Sequence, residues 1–395
     1  MKLTGILTTV RPALLLASCL LSVNAAQANA GGSNDPLEQP ALMTSRAAHA
    51  TLLSVVQAGT RLVAVGEHGV IVYSDDQGKS WTQAKVPVSV NLTAVQFIDP
   101  KNGWAVGHDG IALSTSDGGL SWSKRFDGNQ ANTLMLGDLQ KVADEAHHAL
   151  DAAPASAKQA AQAAADAADN AVGDVQAGAK FGPSRPLLGV YFKNVSDGYL
   201  VGSYGQILHT ADGGKVWESF AGRLHNSDGL HYNAIAGTAG GTLVIAGEGG
   251  KVYRSRDNGA TWQTLETGYK GQLYGVIGVA GEGGTEDLLA FGFGGHTLLS
   301  SGKESDKAGI TWQELPAVTH KNLIGGVLCA DGSIVLATQD GSLLKSSDHG
   351  HSFSVLLPSN GLEIAGVAQA AGANFALSGV SGVHFVSASG SGKVN

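Results

Sequence analysis

Short runs of alternating hydrophobic and polar residues, separated by turn-forming residues, make up most of this chain. Residues 92–97 alternate as a strand does, an Asp-Pro turn follows, and residues 104–106 and 111–114 form two further strands on either side of a Gly-His-Asp-Gly turn. Another turn leads to Trp122, which opens a fourth strand. This order predicts a four-stranded antiparallel meander.

A signature of eight residues, Ser/Thr-x-Asp-x-Gly-x-x-Trp, follows the third strand of these units, and we call it the box. Its carboxylate can accept backbone N–H groups across the turn, its glycine tolerates a positive φ, and its indole can be buried between units. We therefore assign it a structural role. The box residues are Asp76, Trp81, Asp117, Trp122, Asp212, Trp217, Asp257 and Trp262, with Trp312 in a copy that carries Lys307 instead of the acid, and Asp348 with Phe353 in the last copy.

Successive box aromatics lie roughly 40 to 50 residues apart, except for one interval about twice as long, which is typical of propeller blades. The strand pattern predicts an all-β fold, a seven-bladed β-propeller of four-stranded antiparallel blades. Its last unit, residues 362–387, has three strands and no box. We expect residues 38–48 to supply the closing strand of that blade, because closure removes exposed sheet edges.

The long interval contains an alanine-rich insertion, residues 129–182, between blades 2 and 3. Residues 134–150 carry leucine, valine and alanine at helical spacing, Pro154 interrupts the pattern, and residues 155–177 are mostly alanine. This pattern predicts a helical hairpin on the propeller face that carries the turns between second and third strands. It is either a tolerated loop insertion or a lid or docking arm for a partner.

The first thirty residues resemble a secretory signal, with Lys2 and Arg11 before an apolar run and small residues at 26–30. We expect residues 31–395 to form the exported propeller, most simply in the periplasm. Leu-Ala-Ser-Cys at 16–19 also resembles a lipobox, so the alternative is a lipoprotein anchored at Cys19. Without that lipid, no direct insertion into the bilayer is expected.

Charge and cysteine content narrow the classes of partner and cofactor. The formal net charge is −8, and cleavage of the signal segment would remove two cations and no acid. Such an acidic protein is a poor candidate for binding nucleic acid. Cys329 would be the single remaining cysteine, which excludes an intrachain disulfide and a thiolate metal cluster.

The turns between second and third strands, with the residues that enter the inner strands, should form a rim around the mouth of the central channel. Its mixture of acids, imidazoles and aromatics suits a binding surface. Glu67, Asp109 and Glu248 could alternatively act as glycosidase carboxylates, and His68 with His108 could hold a metal. Because turns are often polar for other reasons, we predict no catalytic residue, metal or cofactor. The candidate binding residues are Glu67, His68, Asn91, His108, Asp109, Tyr204, His231, Tyr232, Glu248, Tyr274, Asn322 and Asp340.

The box resembles the Asp-box, or BNR repeat, of sialidases. That family implies three arginines around the substrate carboxylate and a tyrosine nucleophile. The arginines here are scattered, and Arg254 and Arg256 lie beside a box rather than at the mouth. These departures disfavour a sialidase. A carbohydrate-binding or glycoside-hydrolysing propeller is the alternative function.

Residues 103–111 running into 115–122, and 198–205 running into 210–214, resemble the photosystem II stability/assembly factor family. The resemblance implies a seven-bladed, non-enzymatic propeller that binds a membrane-protein subunit during assembly. Non-photosynthetic bacterial relatives are often exported and associated with transporters of the resistance-nodulation-division (RND) type. The expected partner is thus a membrane or envelope protein, with an RND transporter as the specific candidate. The photosynthetic members use an arginine-rich patch for their partner, which the scattered arginines of this chain do not reproduce, and the hairpin is foreign to those members.

Overall fold

The computed structural model describes residues 34–387, except residues 184, 225, 227, 282–283, 303–309 and 360. The predicted signal segment 1–30, with Cys19, and the box position Lys307 lie outside the described residues. No helix in the described part is both long enough and apolar enough to span a membrane.

Seven antiparallel sheets follow one another along the chain, and the strands of each sheet are in sequence order. The first three sheets are β1 (Leu52–Ala58), β2 (Arg61–Gly66), β3 (Ile71–Ser74) and β4 (Thr82–Gln83); β5 (Leu92–Phe97), β6 (Gly103–Gly107), β7 (Ala112–Thr115) and β8 (Ser123–Phe126); and β9 (Leu187–Phe192), β10 (Gly198–Gly202), β11 (Ile207–Thr210) and β12 (Glu218–Ser219).

The remaining sheets repeat this plan, and the seventh has three strands among the described residues. They are β13 (Tyr232–Gly237), β14 (Leu243–Gly247), β15 (Lys251–Ser255) and β16 (Gln263–Glu266); β17 (Leu273–Ala280), β18 (Glu286–Gly292), β19 (Thr297–Ser301) and β20 (Thr311–Glu314); β21 (Leu323–Leu328), β22 (Ile334–Thr338), β23 (Leu343–Ser346) and β24 (Ser354–Leu357); and β25 (Ile364–Gln369), β26 (Asn374–Gly379) and β27 (Gly382–Ser387).

The blades close into a ring through their innermost strands. Each innermost strand packs against that of the next blade, and β25 of the last blade packs against β1 of the first. The Thr93 hydroxyl donates to the Leu187 carbonyl over 2.6 Å between blades 2 and 3, and the Ala371 amide donates to Gln77 Oε1 over 3.1 Å between blades 7 and 1. The predicted seven-bladed propeller is confirmed.

Aromatic side chains fill the spaces between blades. Trp104 of blade 2 stacks on Phe192 of blade 3 with ring centroids 4.2 Å apart, and it meets Trp217 edge to face at 5.9 Å. A Cβ at Gly214, in the blade 3 box, would lie 2.4 Å from the Trp104 ring. The box glycine therefore allows this box to pack closely against the preceding blade.

Within the box, the acid ties the turn together. In the first copy, Asp76 accepts from the Ser74 hydroxyl at 2.8 Å, from the Ser80 amide at 2.8 Å and from the Ser80 hydroxyl at 2.6 Å. The Ser74 hydroxyl in turn accepts the Gly78 amide at 2.8 Å. The same pattern surrounds Asp117, Asp257 and Asp348.

The insertion forms two helices, α1 (Gly128–Ala152) and α2 (Lys158–Ala179), as the sequence predicts. Asp127 begins α1 with a reciprocal capping box to Gln130, which satisfies amides at the helix start. A Cβ on Gly128 would lie 2.3 Å from the Cβ of Pro183, so the two ends of the insertion meet. The hairpin is therefore an appendage to an uninterrupted ring.

The predicted pairing of residues 38–48 with the last blade is wrong, because this segment contains no strand. Only its end reaches blade 7, where the 3₁₀ turn Ala47–His49 contacts β27. The preceding residues bond to blade 1 instead: the Ala41 amide donates to the Val86 carbonyl at 3.0 Å, and the Thr44 amide donates to Gln83 Oε1 at 2.8 Å. Residues 41–44 thus bond to the outer side of blade 1 and not to blade 7.

Candidate functional site

Five of the turns between second and third strands are 3₁₀ turns of one shape, with the middle residue in the left-handed region. Blades 4 and 5 have glycine there, but blades 1 to 3 have His68, Asp109 and Tyr204, with φ of 50°, 54° and 55°. A side chain in this region costs free energy, especially for a bulky residue such as tyrosine. Blades 1 to 3 therefore present side chains at a position where glycine would be less strained.

Two of the rim carboxylates support backbone at equivalent positions. Glu67 Oε1 accepts the Thr51 amide at 2.8 Å, and Glu248 Oε2 accepts the His231 amide at 2.9 Å. Glu248 Oε1 also accepts from the Gln272 side chain at 3.2 Å. Each carboxylate thus fixes the entry of the inner strand in its own blade.

Two rim asparagines cap the turn of the preceding blade. Asn91 Oδ1 accepts the His68 amide at 2.9 Å, and Asn322 Oδ1 accepts the Gly294 amide at 3.0 Å. Asp340 accepts from the Thr338 hydroxyl at 2.6 Å and has a comparable local role in its own turn. Asn91, Asn322 and Asp340 thus stabilise the turns of the rim.

A polar and aromatic surface extends from the hairpin across blade 3 to blade 4, and we call it the Tyr204 surface. Tyr204 is 60% exposed and contacts the His231 ring edge to face, with centroids 4.8 Å apart. The Arg185 guanidinium lies 5.5 Å from the Tyr204 ring centroid, and His231 Nδ1 lies 3.7 Å from Glu248 Oε1. The surface therefore combines a cation, two rings and a carboxylate.

Helix α1 forms one wall of this surface. Its Leu134 and Met135 line a cavity of about 100 Å³ together with Arg185 and Tyr204, and Arg185 Nη1 lies 3.1 Å from the Met135 sulfur. The start of α1 also contacts the turn His108–Gly110. Sequence reasoning missed Arg185, although its place directly after the insertion and before β9 was a usable signal.

The other predicted rim residues differ in exposure. His68 and His108 are exposed in separate blades, and Asp109 and Tyr274 are partly buried. Burial raises the pKa of the Asp109 carboxyl. Tyr232 is fully buried, so it cannot contact a partner and is withdrawn from the binding surface. Among the residues that the structure describes, no three His, Cys, Asp or Glu side chains cluster as metal ligands.

Sequence comparison gives matches to assembly factors of photosystem II. The family described as Photosynthesis system II assembly factor YCF48 matches residues 73–147 and 179–283. Photosystem II stability/assembly factor HCF136 of Guillardia theta is 46% identical over 48 residues, and the assembly lipoprotein Ycf48 of Prochlorococcus marinus is 35% identical over 66 residues. These segments cover 12% and 16% of this chain and span 12% and 20% of the two relatives.

Solved structures share the fold over most of the chain. A structure of YCF48 bound to D1 peptide covers 87% of this chain and 97% of its own, with a TM-score of 0.56 and 17% identity. A streptogramin B lyase structure covers 88% of this chain and 95% of its own, with a TM-score of 0.58 and 11% identity. The fold thus occurs in proteins of different function. The chain is therefore a seven-bladed β-propeller whose sequence resembles the photosystem II assembly factor family over residues 73–147 and 179–283.

Proposed function

We propose that this protein is a non-enzymatic propeller that binds a membrane or envelope protein and assists its assembly, stability or activity. The observation that carries the proposal is the Tyr204 surface, where an exposed, strained tyrosine lies between an arginine and a histidine beside the hairpin. Tyrosine and arginine are enriched among the residues that dominate binding energy at protein interfaces. The assembly-factor relatives support a partner from a membrane complex.

The finer proposal concerns location and partner. The basic and apolar start of the sequence supports export, with the periplasm as the expected compartment and lipidation at Cys19 as the alternative. An RND-type transporter is the specific candidate partner. Mass spectrometry of the mature N-terminus distinguishes cleavage near residue 30 from a lipid-modified Cys19.

The binding proposal is tested by recovering membrane proteins from detergent-solubilised membranes of the native organism with the tagged, purified propeller. We expect the double variant Arg185→Ala/Tyr204→Ala to recover about tenfold less of the major membrane partner. Val216→Ala is the matched control, because Val216 is 61% exposed at the other end of β11 and should leave recovery unchanged. Equal recovery by the double variant and the wild type would contradict this assignment.

The alternative enzymatic function has its own test with chromogenic glycosides. We expect no hydrolysis by the wild type, because Glu67 and Glu248 are engaged by backbone amides in two different blades. Hydrolysis that disappears in Glu67→Gln or Glu248→Gln would show that these carboxylates act on a glycoside. That result would replace the binding proposal with a glycosidase.

A further inference from the structure

The seventh blade ends at β27, whose outer edge has no partner strand among the described residues. Such an edge presents a row of backbone N–H and C=O groups that can pair with another extended chain. The six other blades cover the corresponding edge with a fourth strand of two to four residues. Blade 7 is therefore the one described blade whose third strand is open to added pairing.

The repeat defines which residues of β27 would pair. Gly69 in blade 1 and Gly382 in blade 7 match, because a Cβ at either would meet a carbonyl oxygen of the adjoining connection, that of Val88 at 2.1 Å or Ala48 at 2.0 Å. In blade 1, Val72 pairs with Gln83 and Tyr73 with Thr82. The turn of blade 7 is one residue shorter than that of blade 1, because Gly379 pairs directly with Gly382. Counted by strand pairing, Val72 and Tyr73 therefore correspond to His384 and Phe385, so these two residues mark the open edge.

A groove of about 750 Å³ lies along this edge. One wall is β27, with Val383 and Phe385, and the other is the first box, with Lys79 to Trp81. In blade 1, the chain after the fourth strand runs along the box of the next blade, where the Trp122 amide donates to the Lys85 carbonyl at 2.9 Å. The groove thus lies where a fourth strand of blade 7 would run.

The lining of the groove indicates the chemistry of its occupant. Val383, Phe385 and Trp81 are partly exposed and give it an apolar floor. Lys79 is exposed at its margin, and none of the described lining residues is a carboxylate. A segment that carries an apolar or aromatic side chain and an acidic residue would complement this lining in shape and charge.

We propose that the open edge of β27 is a docking site for an extended, acidic segment of another protein, which binds as the fourth strand of blade 7. Its backbone pairs with His384 and Phe385, its apolar side chain covers Phe385 and Trp81, and its carboxylate faces Lys79. This site is separate from the Tyr204 surface. A double variant at Arg185 and Tyr204 should leave binding at β27 unchanged, so the two proposals fail independently.

The probe is a fluorescent synthetic peptide with the sequence of residues 346–357, which contains Asp348, Phe353 and the fourth strand of blade 6. We expect saturable binding to the full propeller and slower amide hydrogen exchange in β27. A peptide with proline at both Ser354 and Val355 should not bind, because adjacent amides point to opposite sides and proline removes both donors. Loss of binding with the proline peptide would show that backbone pairing is required.

The protein variants are matched through the repeat. Lys79→Glu should weaken peptide binding at least fivefold. Lys215→Glu changes the same box position in blade 3, beside a blade that already has four strands, and should leave binding unchanged. Equal effects of the two variants, or exchange protection outside β27, would overturn the proposal.

The remaining outcomes identify other occupants of the edge. Binding that is seen only after removal of residues 388–395 would show that the chain's own C-terminal segment takes the site. A dimer with β27 protected in the absence of peptide would assign the edge to a second copy. Either result, or no binding to both the full and the shortened chain, would contradict docking of a foreign segment.

Discussion

At the scale of single residues, the box acids connect the repeat signature to the pH dependence of stability. The Ser80 hydroxyl and amide donate to Asp76 and hold the pKa of its carboxyl at about 2, below the usual 3.8. Thr261 holds the pKa of Asp257 at about 2 in the same way. The folded state therefore binds these protons less tightly than the unfolded state does.

Stability from these acids is present above about pH 4 and is lost as the pH falls through about 2. We expect the double variant Asp76→Asn/Asp257→Asn to melt at a lower temperature than the wild type at pH 7, and to lose less of its melting temperature between pH 4 and pH 2.5. Asp174→Asn, at an exposed position on α2, is the control. Parallel pH profiles for the double variant and the wild type would contradict the assignment.

The indole of Trp104 should be a major source of packing free energy between blades. It is 4% exposed and contacts Phe192 and Trp217. Trp104→Ala should lower the free energy of unfolding by about 3–5 kcal/mol, because the cavity would be buried between two blades. Trp312 is only partly buried, so Trp312→Ala should cost less. Urea unfolding measures both losses of unfolding free energy. Equal losses for the two variants would show that Trp104 stabilises the fold no more than Trp312 does.

At the scale of elements, the hairpin should be separable from the ring. Its buried residues are Gly128, Ala131, Ala143 and Ala165, so its helices bury little large apolar surface. Replacing residues 129–182 with a short Gly-Ser linker should shift the melting temperature by only a few degrees, because the flanking Gly128 and Pro183 already meet. We expect the same variant to lose membrane-partner recovery. Full recovery would assign the hairpin to tolerated insertion rather than docking.

The repeat made the blades predictable, but side-chain direction and the path of the first described residues were not. Adjacent residues at the start of an inner strand point to opposite sides, so His231 reaches the Tyr204 surface while Tyr232 is buried. Residues 41–44 could pair with any open edge of suitable length, and their bonds to Gln83 and Val86 favour blade 1. The spacing of the repeats along the sequence indicates neither which of these two side chains is buried nor which blade residues 41–44 contact.

At the scale of the whole molecule, the ring separates two kinds of position. In blades 1 to 4 and in blade 6, the box lies at one end of the third strand and packs against a neighbouring blade, whereas the turns at the other end form the rim that includes the Tyr204 surface. Glu67 and Glu248 of the rim support the entry of the inner strand in their own blades. Recognition is thus left to Tyr204, His231 and Arg185 beside the hairpin. A membrane partner should therefore approach the propeller from the hairpin side.

Site-specific photo-crosslinking tests this claim most directly. A benzoylphenylalanine residue is placed at position 204 or at position 216 of the full chain, and each protein is irradiated with membranes of the native organism. We expect a single dominant adduct with an integral membrane protein from position 204 and none from position 216. An adduct from position 216 alone, or no adduct with a membrane protein from either position, would contradict this claim.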